Sequence, residues 1–311
     1  MRSVIINADD YGLTTAVSRA IVRAHTDGVV TSTSALVVAP AFAATAAWLD
    51  DAPTLGVGLH LAAVGEDPPL LSAAEVPTLV DRRGNFAVSS MRMVPRLAAG
   101  RVDPADLERE FEAQFEAFTA TGRLPTHVDT HHNLHLWPTV GEVVARLAER
   151  WSVPSVRVPW SRARSPVGAG VRRFAKTLRT ELDRAGRWYP DVYFGIDEGG
   201  RLDTATLVAL IDGLADSESA TPDLSVEIAV HPGEPDDADL VRYPWPGASR
   251  DAELAALTSP EVRRRLDAVG LIRTAYGAEP RPSRPNLSLD VPRLLDVPDS
   301  DDRGENASAP R

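Results

Sequence analysis

The chain has 311 residues, 43% hydrophobic and 25% charged, a composition ordinary for a globular fold in water. A net charge of −11 argues against nucleic acid and against an anionic membrane surface as partners, since both need basic patches. With no cysteine there is no disulfide framework and no thiolate chemistry, so any metal must be held by nitrogen and oxygen ligands.

Val4-Ile-Ile6 reads as a short buried strand. It is too short an apolar run for a signal peptide, and no run in the chain is long enough to span a bilayer. A cytoplasmic enzyme made without a leader is the expectation. The strand ends in Asn7-Ala-Asp-Asp-Tyr-Gly12. Adjacent carboxylates on a regular strand point apart. A bend near Gly12 lets both reach one cavity, while the plainer alternative is a turn or a helix cap at Asp10.

Ala16 to His25 has helical spacing, with His25 placed as a structural residue near its end. Val29 to Val38 reads as a strand, and Phe42 to Leu49 as an Ala-rich helix. Leu55 to His60 is a third apolar strand, ending in a histidine that is either packed or a ligand. Residues 61–102 show little periodicity and several prolines, the mark of a lid or binding loop. Asp103-Pro104 opens a helix whose buried stripe is Leu107, Phe111, Phe115 and Phe118.

Four of the seven histidines fall between His127 and Pro138. On a strand His127, Asp129 and His131 share a face, and His132 opposes them. Three polar groups on one face are costly in a core unless something binds them. Imidazoles with carboxylates suit a divalent metal; a hydrogen-bonded surface loop is the alternative. Val140 to Leu147 then forms an amphipathic helix, and Ser155 to Val158 a strand bearing Arg157. Residues 161–190 read as basic and helical, Leu202 to Leu214 as a helix, and Ser225 to Val230 as a strand running into His231-Pro-Gly233. Glu261 to Val269 is a last helix, and 278–311 a Pro-rich disordered tail.

Strand–helix alternation over roughly 270 residues implies an α/β fold with a mainly parallel sheet, open or closed as a barrel. Working residues in such folds sit at the carboxyl ends of strands. Asp9, Asp10, His60, the 127–131 set, Arg157 and His231 all fall there.

Asn7-Ala-Asp-Asp-Tyr-Gly12, Gly56-Val-Gly-Leu-His60, Thr126-His-Val-Asp-Thr-His-His132 and His231-Pro-Gly233 together resemble the YdjC family of carbohydrate deacetylases. That family includes chitooligosaccharide deacetylases and hopanoid-associated members. The resemblance runs from about residue 2 to about 277, so residues 1–277 are expected to be a single barrel domain, with 61–102 inserted as a lid. It implies an irregular TIM-like β/α barrel and one divalent metal, Mg²⁺ or Zn²⁺. Carried over, the ligands are Asp10, His60 and His131, with Asp9 as general base and His231 as acid. The family often has a third histidine after the His-His pair, where this chain has Asn133.

The implied reaction is metal-dependent release of acetate from an N-acetylated sugar or oligosaccharide. The family suggests a homodimer. His127 and Asp129 could fix a ligand's orientation; Asp129 could equally tune His231 or cap its loop. Arg157 either orients Asp9 or makes a surface ion pair. Trp137 and Trp160 either stack on sugar or pack in the core. Other readings stay open: a different metal-dependent amidohydrolase, a phosphoesterase, a glycoside hydrolase, or a metal-containing sugar-binding protein without turnover. The chain's only lysine, Lys176, lies outside these motifs, which disfavours a phosphate clamp. A glycosidase needs two carboxylates about 5 to 9.5 Å apart and gives the histidines no role.

Overall fold

The computed structural model describes residues 2–216 and 224–278. The expected tail, residues 278–311, lies outside these apart from Ala278.

The chain alternates as expected. β1 (Ser3–Tyr11) leads to α1 (Thr15–Thr26), and β2 (Ser32–Ala35) to α2 (Phe42–Thr45), which passes into a 3₁₀ segment at Ala46–Asp51. β3 (Gly56–Leu61) is followed by α3 (Ser90–Ala98) and α4 (Pro104–Thr119). β4 (His127–Thr130), α5 (Pro138–Arg150), β5 (Ser155–Val156), α6 (Pro166–Ala185) and β6 (Val192–Phe194) come next. α7 (Thr204–Asp216), β7 (Ser225–Val230), α8 (Arg250–Leu257), α9 (Pro260–Ala268) and β8 (Ile272–Arg273) complete it.

The strands form one sheet in the order β5-β4-β3-β2-β1-β7-β6, with β8 paired to the start of β1. Every pairing is parallel. The sheet curls into an irregular TIM-like barrel. β5 and β6 do not form a ladder; Trp188, just before β6, bridges the gap, donating to Pro154 O at 3.0 Å and accepting from Val156 N at 2.9 Å. All nine residues of β1 are buried, which explains its unbroken apolar start: a central parallel strand is covered on both faces.

Helix starts follow local chemistry. Thr14 caps α1 by accepting from Val17 N, and Asp103 caps α4 ahead of Pro104. Ser165-Pro166 and Ser259-Pro260 repeat that device. The α4 stripe Leu107, Phe111, Phe115 and Phe118 is buried as expected, and Phe115 stacks on Trp151.

Three differences from the expected elements matter. The 61–102 region contains a helix, α3, is closed on itself by an isolated bridge from Val64 to Ala87, and is tied to α4 where Leu70 N and Leu71 N donate to Glu110 and Thr78 N donates to Asp106. A short strand, β6, follows the stretch expected to be helical, where no strand was expected. A helix, α8, lies where none was expected, and it delivers Arg250.

Candidate metal and catalytic site

At the carboxyl ends of the strands lies a cavity of about 910 Å³, lined among others by Asp9, Asp10, His60, His131 and His231. Those five residues come from β1, β3, the turn after β4, and the segment after β7.

Asp9 and Asp10 both reach it because β1 is irregular there. From Ala8 to Tyr11 the strand advances three residues while β2 advances two, from Thr33 to Ala35. One extra residue is a β-bulge. Asp10 takes it up with φ of 72°, a left-handed conformation uncommon outside glycine. The bend expected near Gly12 is thus centred on Asp10 itself.

Three side-chain atoms converge. His131 Nδ1 is 3.3 Å from Asp10 Oδ1 and 3.3 Å from His60 Nε2, and His60 Nε2 is 3.7 Å from Asp10 Oδ1. Ligand atoms at about 2.0–2.1 Å around a tetrahedral ion stand roughly 3.3–3.4 Å apart. Two of the three separations match that spacing and the third is 3.7 Å.

His60 is held by Asp129, whose Oδ1 lies 2.7 Å from His60 Nδ1. Nδ1 bonded there turns Nε2 toward the trio, the usual arrangement of a metal-binding histidine; a cation bound at Nε2 takes the place of its proton. Burial alone would lower the His60 pKa, but Asp129, Asp9 and Asp10 outweigh it and raise it to about 9. Burial would likewise raise Asp10; Arg250 and His131 instead hold it well below the usual carboxylate range. Arg250 donates to the other carboxylate oxygen, Oδ2, at 2.7 Å, so Oδ1 is the atom left for the trio.

Asp9 sits beside this group under separate control. Arg157, fully buried, grips it at two points, 2.7 Å to Oδ2 and 2.6 Å to Oδ1. The same guanidinium reaches Asp129 at 2.5 Å and Glu227 at 2.8 Å. Asn7 donates to Asp9 Oδ1 at 2.8 Å. Burial pushes the Asp9 pKa up, and Arg157 more than reverses this, so the carboxyl stays ionised. His231 Nε2 stands 3.8 Å from Asp9 Oδ2, and its buried Nδ1 has no partner.

The 127–131 set does not share a single face. β4 stops at Thr130, and His131 begins a turn in which His132 and Asn133 have φ of 56° and 52°. That turn swings His131 into the trio. His127 points elsewhere: its Nε2 is 3.0 Å from Ser34 Oγ, and its ring stacks on Tyr276 at 3.9 Å. The ring fits only because residue 58 is glycine, where a Cβ would come within 2.3 Å of it. Burial lowers the His127 pKa to about 3. His132 lines the cavity and is likewise lowered by burial to about 3. His135 is tied to Thr130 Oγ1 and Arg157 O. His25 is structural, bonding Val30 O and Thr54 Oγ1.

Trp137 packs on Phe174, and Trp160 lies by the Arg179 guanidinium; neither lines the cavity. Trp245 does. It follows Pro244 and precedes Pro246-Gly247, a signal for a type II turn that is legible in sequence. Arg250 carries no such signal, because its partner Asp10 is 240 positions away.

A family model described as "YdjC-like protein" matches residues 3–268. The carbohydrate deacetylase of Brevibacillus brevis is 31% identical over 263 residues, covering 85% of this chain and 94% of its own length. That of Geobacillus stearothermophilus is 33% identical, covering 88% and 97%. A chitooligosaccharide deacetylase of Yersinia pestis is 31% identical, covering 84% and 92%. A crystal structure from Enterococcus faecalis V583, described as a candidate cellobiose-phosphate cleavage protein, superposes with a TM-score of 0.72 at 31% identity, covering 88% of this chain and 97% of that one.

Proposed function

The chain belongs to the YdjC family, and from that premise we propose that it is a metal-dependent deacetylase that releases acetate from an N-acetylated amino sugar or chitooligosaccharide. The observation carrying this reading is the convergence of Asp10, His60 and His131 beside an ionised Asp9 and His231.

The donor set fits a divalent cation. One carboxylate oxygen and two imidazole nitrogens suit Zn²⁺ by ligand softness, and Mg²⁺ would need added oxygen ligands. Asp10 Oδ1, His60 Nε2 and His131 Nδ1 would hold it. When bound, such an ion polarises an amide carbonyl and makes water more acidic.

The protein's own groups divide the remaining work. Asp9, ionised and fixed by Arg157 and Asn7, accepts a proton from the water that attacks the acetyl carbon. His231 gives a proton to the nitrogen as the C–N bond breaks, because an unprotonated amine leaves poorly. Water supplies the oxygen and the amide supplies the nitrogen, so the products are acetate and an amino sugar. Asp9 Oδ2 and His231 Nε2 stand 3.8 Å apart, so both open on the same part of the cavity. Arg157 also links Asp9 to Asp129, and through Asp129 to His60, so base and ligands share one buried scaffold.

Residues 1–277 serve as one barrel domain in this account. The 61–102 insertion forms one wall of the cavity through Glu66, Val88 and Ser89, which is where a lid belongs. Among the described residues no helix is long and apolar enough to cross a membrane.

The test is acetate release from N,N′-diacetylchitobiose by protein loaded with Zn²⁺ or Mg²⁺, repeated with chelator. Release that the chelator abolishes is expected; no release with either metal would overturn the proposal.

A further inference from the structure

Trp245 stands at the cavity mouth, 40% exposed, an unusual state for the largest apolar side chain. It is not loosely held. Ala248 N donates to Trp245 O at 3.2 Å with Gly247 at φ of 82°, closing the turn that Pro246-Gly247 encodes. Ser249 N donates to Gly200 O at 2.8 Å, tying that turn to the loop after β6. The six-membered ring of Trp245 lies against Gly199 and Gly200; an added Cβ would meet its Cζ2 and Cη2 at 3.4 Å from Gly199, and its Cζ2 at 3.3 Å from Gly200. The Arg250 guanidinium lies 5.6 Å from the ring centroid. Such a placement fixes an aromatic face without burying it.

Its position is specific. The rings of Trp245 and His231 meet edge to face, with centroids 4.8 Å apart. In the reaction proposed above, His231 serves the departing nitrogen, and that nitrogen is carried by the sugar ring. With the acetyl group directed at Asp10 and Asp9 and its nitrogen at His231, the pyranose that carries this nitrogen is brought against the Trp245 ring beside His231. The axial C–H groups of a pyranose form an apolar face, and an indole is the side chain best suited to cover one.

From this juxtaposition we infer that Trp245 is the platform that binds the sugar ring bearing the acetamide, and so selects cyclic amino sugars over small acyclic amides. The inference rests on the deacetylase reading for its orientation. Trp245 is a binding residue here; the chemistry stays with Asp9 and His231.

The test uses full-length, metal-loaded protein carrying Asp9→Asn, which holds the substrate uncleaved. N,N′-diacetylchitobiose is titrated by calorimetry into this protein and into versions that also carry Trp245→Ala or Trp245→Phe. Loss of the ring should raise Kd at least about tenfold, with Phe intermediate. Binding should also change the tryptophan fluorescence of the Asp9→Asn protein, and not that of the Trp245→Phe version. Affinities within about twofold across all three, with metal content and melting temperature unchanged, would overturn the inference. If wild-type protein releases no acetate while binding still depends on Trp245, the platform stands and the deacetylase reading falls.

Discussion

Asp129 Oδ1 lies 2.7 Å from His60 Nδ1, and this contact decides which nitrogen of His60 faces Asp10 and His131. Replacing Asp129 by Asn puts a neutral amide there and removes the charge that favours the required tautomer. Changes of this kind lower metal affinity by about 10- to 100-fold. Competition titration with a chromogenic chelator measures it. An unchanged Kd would separate Asp129 from metal binding.

Arg157 supplies the positive charge at the centre of a buried cluster of Asp9, Asp129 and Glu227. Arg157→Met leaves those carboxylates uncompensated and should cost about 3–5 kcal/mol of stability. Lys cannot reproduce a guanidinium that bonds three carboxylates at once, so Arg157→Lys should recover little activity. Urea denaturation and acetate release check the two statements. Activity restored by Lys would mean that charge alone matters.

Acid sensitivity follows from buried neutral histidines. Burial, opposed by Asp129, lowers His127 to about 3 and His135 to about 4. Unfolded histidines titrate near 6.5, so between about 4 and 6.5 the unfolded chain binds more protons than the native one. Each group then contributes stability that is present above about 6.5 and lost as pH falls, at up to about 1.4 kcal/mol per pH unit. With chelator present, the slope of stability against pH in this window should be shallower for His127→Gln than for wild type. Parallel slopes would show that His127 is charged in the native state.

Asp9 and Asp10 are neighbours with separable duties. Asp9→Asn should cut acetate release by at least about 10²-fold, the scale of a lost general base, while metal stays bound at wild-type stoichiometry. Loss of metal in Asp9→Asn would move Asp9 into the ligand set.

Sequence was most informative where local chemistry decides the outcome. Strands ending in Asp9-Asp10, His60 and His231 could be read from apolar runs interrupted by polar groups, and α4 from its Asp-Pro start and its Phe stripe. Parallel topology then placed their ends together. Two long-range contacts were legible as one alternative each: Arg157 on Asp9, and Asp129 behind a metal ligand. That Arg157 also meets Asp129 and Glu227, that Asp129's partner is His60, and that Arg250 meets Asp10 depend on register and on the bulge at Asp10. His127, read beside Asp129 as a group that could fix a ligand's orientation, shares Ser34 Oγ with Asp129, while the glycine at 58 that makes room for its ring against Tyr276 carries no local signal.

The central claim is that Asp10, His60 and His131 hold one cation needed for acetate release. Elemental analysis of purified wild type, Asp10→Asn and His131→Ala, paired with acetate release from N,N′-diacetylchitobiose, tests it most directly. One divalent ion per wild-type chain is expected, together with loss of both metal and activity in the two variants. Full metal content and full activity in both variants would contradict the account.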